Sequence, residues 1–297
     1  MGELTQETLK EMEAEKEFFI GIDSDGCAFD TMEIKHKECF IPNIIKHWEL
    51  QPISKYAREA AEFVNLYSKW RGINRFPALI MVFDLLKERD EVAKRNVSIP
   101  EAKSLREWIK TESKLGNPAL KAVVEKTNDP VLAQALRWSE AVNRTVADMV
   151  KGIPPFPFLR ESLQKAQDST DMIVVSATPN EALQREWEEH NIAQYVRAIC
   201  GQELGKKNEH IALAAGGKYK KEHMLMVGDA PGDMKAAKAN GALFYPINPG
   251  REDESWERFY KEAMDRFLNG EYAGSYEEKL IEEFEKYLPD IPPWKRG

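Results

Sequence analysis

Four short stretches of the chain carry groups able to do chemistry together. Residues 18–31 read FFIGIDSDGCAFDT, an apolar run that breaks into Asp23-Ser24-Asp25-Gly26. Asp23 and Asp25 lie two apart, so on extended backbone their side chains point the same way. One carboxylate can attack an electrophile while the other, slightly further out, transfers protons. A second apolar run, MIVVSAT, ends in Ser176, Ala177 and Thr178. A third stretch sets Gly205-Lys206-Lys207 ahead of a helical pattern. The fourth, HMLMVGDAPGD, ends in Gly228-Asp229 with Asp233 four residues on.

Each stretch taken singly has an ordinary reading. Asp23 and Asp25 suit a solvated turn, and Asp233 suits the first turn of a helix, where the dipole favours a carboxylate. Lys206 and Lys207 suit a solvated pair. His36 and His47 have no partner pattern. What matters is where the four stretches fall along the chain.

Residues 18–23 read as a buried strand closed by turn residues. A helical tract follows, with start signals at Pro77, Ser98, Asn117-Pro118 and Asp129-Pro130. No convincing strand is expected between about 32 and 150. The Pro- and Gly-rich KGIPPFPF at 151–158 reads as a hinge. Strands and helices then alternate: DMIVVS, NEALQREWEEH, YVRAICG, NEHIALAAGG, HMLMVGD, GDMKAAKANG and ALFYPI. That alternation predicts right-handed βαβ units and a parallel sheet covered on both faces. The fold class expected is α/β, a doubly wound parallel-sheet core with an inserted all-helical domain. The core takes residues 1–31 and 152–297, and the insertion takes 32–151. Residues 251–287 read as two acidic amphipathic helices packed on the core.

In such sheets ligands bind beyond the carboxyl ends of the strands. The four polar stretches sit at those ends. Crowded carboxylates repel and call for a cation, and an oxygen-only ligand set favours Mg²⁺.

Composition narrows the partners. The net charge of -8 gives no support to a nucleic-acid surface, which needs clustered Lys and Arg. No apolar run approaches membrane-spanning length, and the acidic N-terminus lacks a signal-peptide core. Three cysteines without metal-type spacing favour a reducing compartment, so a cytoplasmic location is expected.

These stretches resemble the four motifs of the haloacid dehalogenase-like hydrolase superfamily: D-x-D-G, an apolar strand ending in Ser or Thr, a Lys ahead of a helix, and G-D-x-x-x-D. The resemblance covers residues 18–31 and 152–250. It implies Asp23 as nucleophile and Asp25 as general acid/base. It implies Ser176, the Ala177 amide and Lys207 as phosphate ligands, and Asp23, Asp25, Asp229 and Asp233 around Mg²⁺. Lys207 is preferred over Lys206, which fits a longer spacing. Cys27 departs from the family's usual Thr.

The inserted tract matches a C1-type helical cap. Its RGINRFPAL resembles the G-x-x-R loop of the beta-phosphoglucomutase-like subgroup, which implies a substrate role for Arg75. The activity implied is a Mg²⁺-dependent phosphatase acting on a small phosphorylated metabolite through an aspartyl-phosphate. A phosphomutase is the alternative. A phosphoryl-receiving signalling module would lack the long insertion.

Overall fold

A computed structural model describes residues 4–295 of the chain. Five strands form one sheet: β1 (Phe18–Ile22), β2 (Thr170–Val175), β3 (Ala198–Cys200), β4 (Met224–Gly228) and β5 (Leu243–Pro246). Their order is β3-β2-β1-β4-β5 and every pairing is parallel. The chain winds outward from β1 through β2 and β3, then returns to β4 on the other side of β1. A crevice at such a reversal is where ligands bind in open α/β sheets.

The strands read as nearly continuous apolar runs because both faces are buried. Phe18, Ile20 and Ile22 of β1 share one core with Met172, Val174, Leu225 and Val227. Phe19 faces the other core, with Ile173, Val175, Met224 and Met226. Helices follow the strands at Asn180–Glu189, Lys207–Ala215 and Pro231–Ala239. The C-terminal helical run Glu252–Leu268 and the helix Ser275–Tyr287 close over this unit through Trp256, Phe259, Met264, Phe267, Leu280 and Phe284.

The chain divides into two compact units. One takes the described residues up to Thr31 with Gly152–Leu288, and the other takes Met32–Lys151 with the segment from Pro289 onward. The expected core limits at 1–3 and 296–297 lie outside the described residues. The expectation that the whole C-terminal segment belongs to the core needs correction. From Pro289 the chain packs within the helical unit, where the Trp294 ring meets Phe63 edge-on and lies 4.5 Å from the Arg89 guanidinium.

Every regular element in Met32–Lys151 is helical. Asp129 caps the long helix Pro130–Met149 by accepting from the Val131 and Leu132 amides, so the Asp-Pro start signal is read correctly. The helix expected from Ser98 begins instead at Lys103. Pro100 disfavours helical backbone at Ile99, and Ala102 takes a left-handed φ of 46° just before the first turn. Trp108 and Trp138 pack edge-on against Phe76 and belong to the unit's core. Among the described residues, no helix is long and apolar enough to cross a membrane.

Candidate active site

The register of the sheet sets the site. Ile22 pairs with Val174 on one side and Val227 on the other. Asp23, Ser176 and Asp229 therefore leave the sheet at the same edge, within about one residue of one another. Asp23 still pairs with β4, its amide donating to the Val227 carbonyl at 3.0 Å. The chain then turns sharply. The Ser24 carbonyl accepts from the amides of Cys27, Ala28 and Phe29, and Gly26 takes a φ of 77° that favours glycine.

Two indoles hold this turn. Trp187 Nε1 donates to Ser24 Oγ at 3.1 Å, and Trp256 Nε1 donates to the Cys27 carbonyl at 2.7 Å. Cys27 is fully buried, and burial together with the nearby Asp23 pushes its thiol pKa far up, so it stays protonated.

Lys207 opens the helix Lys207–Ala215 and turns its ammonium into the strand ends. Its Nζ lies 2.9 Å from Asp23 Oδ2 and 2.6 Å from Asp233 Oδ1. Lys206, the other lysine of this turn, is exposed, and its amide donates to Glu209. Asp233 accepts from the Ala230 amide at 3.0 Å through Oδ2. It folds back onto the end of β4, which requires glycine at 228: a Cβ there would sit 2.4 Å from Asp233 Cβ.

Asp23, Asp229 and Asp233 are all buried, and one carboxylate oxygen from each lies within 4.8 Å of the others. That limit admits the roughly 3–4 Å between ligand oxygens around an octahedral Mg²⁺ bonded at about 2.1 Å. Burial holds the Asp23 carboxyl well above its usual range. Lys207 pulls it down, and Asp233 and Asp229 push it further up. Burial likewise raises Asp233 against the pull of Lys207. For Lys207 burial works in the opposite direction, but Asp23 and Asp233 outweigh it and hold the ammonium charged. The three buried carboxyl groups are hard oxygen donors, and a divalent cation among them would offset the burial and mutual repulsion that raise Asp23 and Asp233.

Asp25 stands apart from this cluster. Its Oδ1 accepts from the Thr31 hydroxyl and its Oδ2 from the Thr178 hydroxyl, each at 2.5 Å. The Asp25 side chain accepts from these two hydroxyls and is not among the three carboxylates grouped above. Ser176 is buried, its amide donating to the Cys200 carbonyl at 3.0 Å and its Oγ accepting from the Thr178 amide at 3.2 Å. Ala177 between them is exposed.

Arg75 begins the helix Arg75–Lys87. Its Nη1 donates to the Ser139 carbonyl, Ser139 Oγ and Asn143 Oδ1, and its guanidinium lies 4.9 Å from the Phe40 ring centre. Burial lowers its pKa to about 10. The observed partners of Arg75 all lie in the helical unit.

The sequence places Thr178 beside Ser176 at the strand ends but gives its hydroxyl no partner, and it gives Trp187 and Trp256 no role. Thr178 carried a faint signal, two residues after Ser176. The indoles carried none, since they reach the turn from 163 and 229 residues away.

No curated protein matches the chain by sequence. Similar solved structures include a haloacid dehalogenase-like family hydrolase from Streptococcus pneumoniae, 15% identical, covering 82% of this chain and 90% of its own, with a TM-score of 0.44. A HAD-superfamily hydrolase of subfamily IA, variant 1, from Geobacter sulfurreducens is 14% identical, covers 78% and 88%, and has a TM-score of 0.40. A predicted phosphoglycolate phosphatase from Haemophilus somnus is 12% identical, covers 78% and 86%, and has a TM-score of 0.43. The family model of the haloacid dehalogenase-like hydrolases matches residues 97–246, which include the Ser176, Lys207 and Asp229–Asp233 segments. With half of its length matched and this sheet order beneath it, the chain belongs to the haloacid dehalogenase-like hydrolase family and is an enzyme of the hydrolase class.

Proposed function

We propose that the protein is a Mg²⁺-dependent phosphatase of small phosphorylated metabolites, working through an aspartyl-phosphate on Asp23. The observation that carries this is the Lys207 ammonium between Asp23 and Asp233, at 2.9 and 2.6 Å, beside Asp229. A buried nucleophile next to a fixed cation suits a reaction in which a dianionic phosphoryl group must approach a carboxylate.

Asp23 attacks phosphorus and forms an acyl phosphate as the ester bond breaks. Asp25 gives a proton to the departing oxygen. Water then attacks phosphorus, Asp25 takes its proton, and Asp23 is released with inorganic phosphate. Lys207, the Ser176 hydroxyl and the Ala177 amide hold phosphate oxygens. Asp23, Asp229 and Asp233 would hold the Mg²⁺, which neutralises charge on the transferring group when bound.

The phosphomutase alternative rests on the Gly72-x-x-Arg75 loop, and no observed contact of Arg75 favours it over hydrolysis. Three buried, unpaired cysteines support a reducing compartment such as the cytoplasm.

The test is a phosphate-release assay over sugar phosphates, nucleotides, phosphonates and aryl phosphates, with Mg²⁺ and with chelator. Metal-dependent release from at least one ester is expected. No release from any of them overturns the proposal. A requirement for a sugar bisphosphate would favour the mutase.

A further inference from the structure

Asp25 must meet two oxygens in turn, the leaving group and then water, so its carboxyl has to be aimed. Two hydroxyls grip it, and they come from different parts of the chain. Thr31 lies six residues ahead on the same segment, whereas Thr178 follows β2. Thr178 is itself anchored at both backbone ends. Its amide donates to Ser176 Oγ at 3.2 Å, and its carbonyl accepts from the Gln202 amide at 3.0 Å. The Thr178 hydroxyl thus reaches Asp25 Oδ2 from a fixed support, and the same support includes the buried Ser176.

Building on the phosphatase reading, we propose that Thr178 is a positioning residue that orients the Asp25 carboxyl for proton transfer. A hydroxyl suits this contact because it can go on donating to an Asp25 oxygen whether the carboxyl is ionised or protonated, which leaves the acid proton free to face the departing oxygen. The bond therefore persists through both halves of the reaction. In the first half the Asp23–phosphorus bond forms, the ester P–O bond breaks, and Asp25 passes its proton to the departing oxygen. In the second, water bonds to phosphorus, the acyl P–O bond breaks, and the water proton goes to Asp25. A carboxylate oxygen can serve two partners at once, so the Thr178 contact and proton transfer are compatible at one carboxyl.

The test compares Thr178→Val and Thr178→Ser with the wild-type chain, in Mg²⁺, on phenyl phosphate and para-nitrophenyl phosphate. Phenolate is a poor leaving group and needs the proton, whereas para-nitrophenolate departs without it. A misaimed acid should cost Thr178→Val about tenfold to a hundredfold in kcat/KM on phenyl phosphate, below the full value of a general acid. The loss on para-nitrophenyl phosphate should stay within about threefold, because little of that barrier is proton transfer. Thr178→Ser, which keeps the hydroxyl, should restore the phenyl phosphate rate. Equal losses on both esters, or a loss that serine does not rescue, would overturn the positioning role. A wild-type chain inactive on all esters would overturn the phosphatase reading itself. Circular dichroism and thermal melts on each variant separate unfolding from misaiming, and a folded Thr178→Val with wild-type rates also overturns the role.

Discussion

The indole of Trp256 donates to the carbonyl of Cys27 at 2.7 Å, tying a C-terminal helix to the turn that carries Asp23 and Asp25. Both residues are fully buried. Trp256→Phe keeps most of the packing and removes the donor, leaving a buried carbonyl unsatisfied. The expected cost is about 1–3 kcal/mol, measured by urea denaturation. Phosphatase activity should fall with it, since the turn sets the direction of both carboxylates. A variant with unchanged stability would mean the carbonyl finds another donor.

Asp23→Asn should abolish turnover and keep the fold. The amide retains the shape of the carboxyl but is a poor nucleophile. It also removes one charge that burial disfavours, so the melting temperature without metal should hold or rise. Phosphate release retained by carefully purified Asp23→Asn protein would exclude Asp23 as nucleophile.

Metal should act on stability as well as rate. Mg²⁺ that binds only the folded chain adds about 2.7 kcal/mol at a hundred times its Kd. A rise in melting temperature with Mg²⁺ is expected, lost in Asp229→Asn, and chelator should stop turnover. Full activity in chelator would mean that Asp23, Asp229 and Asp233 hold no catalytic metal.

Asp171 governs part of the acid stability. It is buried at β2 and accepts from the amides of Glu15 and Lys16, the Tyr219 hydroxyl and the Arg197 guanidinium. Burial works to raise its pKa, yet Tyr219, the two amides and Arg197 outweigh it, and the net shift is downward. A depressed carboxyl stabilises the fold above the unfolded-state value of about 3.9, and that stability is lost as the pH falls through the folded-state value. Asp171→Asn should therefore cost about 1–3 kcal/mol at neutral pH. The gap to wild type should close as the pH falls below about 4, as followed by denaturation at stepped pH. A gap independent of pH would remove the ionised Asp171 from this account.

Arg75→Ala separates two roles. Loss of its bonds to Ser139 and Asn143 should destabilise the helical unit by about 1–3 kcal/mol. A substrate role would in addition lower kcat/KM for the natural ester far more than for a small aryl phosphate. Equal kinetic losses on both would assign Arg75 to packing alone.

The strand ends were legible because each polar group interrupts an apolar run at a place where a parallel sheet opens to a crevice. Asp23 and Asp229 could be read that way, whereas the choice of Lys207 over Lys206 and the role of Asp233 came from the family resemblance, and the Asp129 cap from its Asp-Pro signal. The orientation of Asp25 could not, since it depends on Thr178, 153 positions away. Nor could the helix start at Lys103, where Ser98 looked like a cap but Pro100 shapes the backbone before it. The indole contacts to the turn and the place of the last segment are settled by tertiary packing, which leaves no periodic mark.

Trp294 has a consequence for the order in which the chain matures. The helical unit is encoded by Met32–Lys151, yet its Arg89 guanidinium sits between the Tyr56 ring at 4.6 Å and the Trp294 ring at 4.5 Å. Residues from Pro289 onward leave the ribosome only after all five strands of the other unit. Until that segment is made, the Trp294 ring is missing from its place beside Arg89. Completion of the helical unit is therefore a late event coupled to translation of the whole catalytic unit. A nascent chain stalled before Pro289 should present Phe63 and Arg89 to proteases or chaperones, and release of the tail should withdraw them.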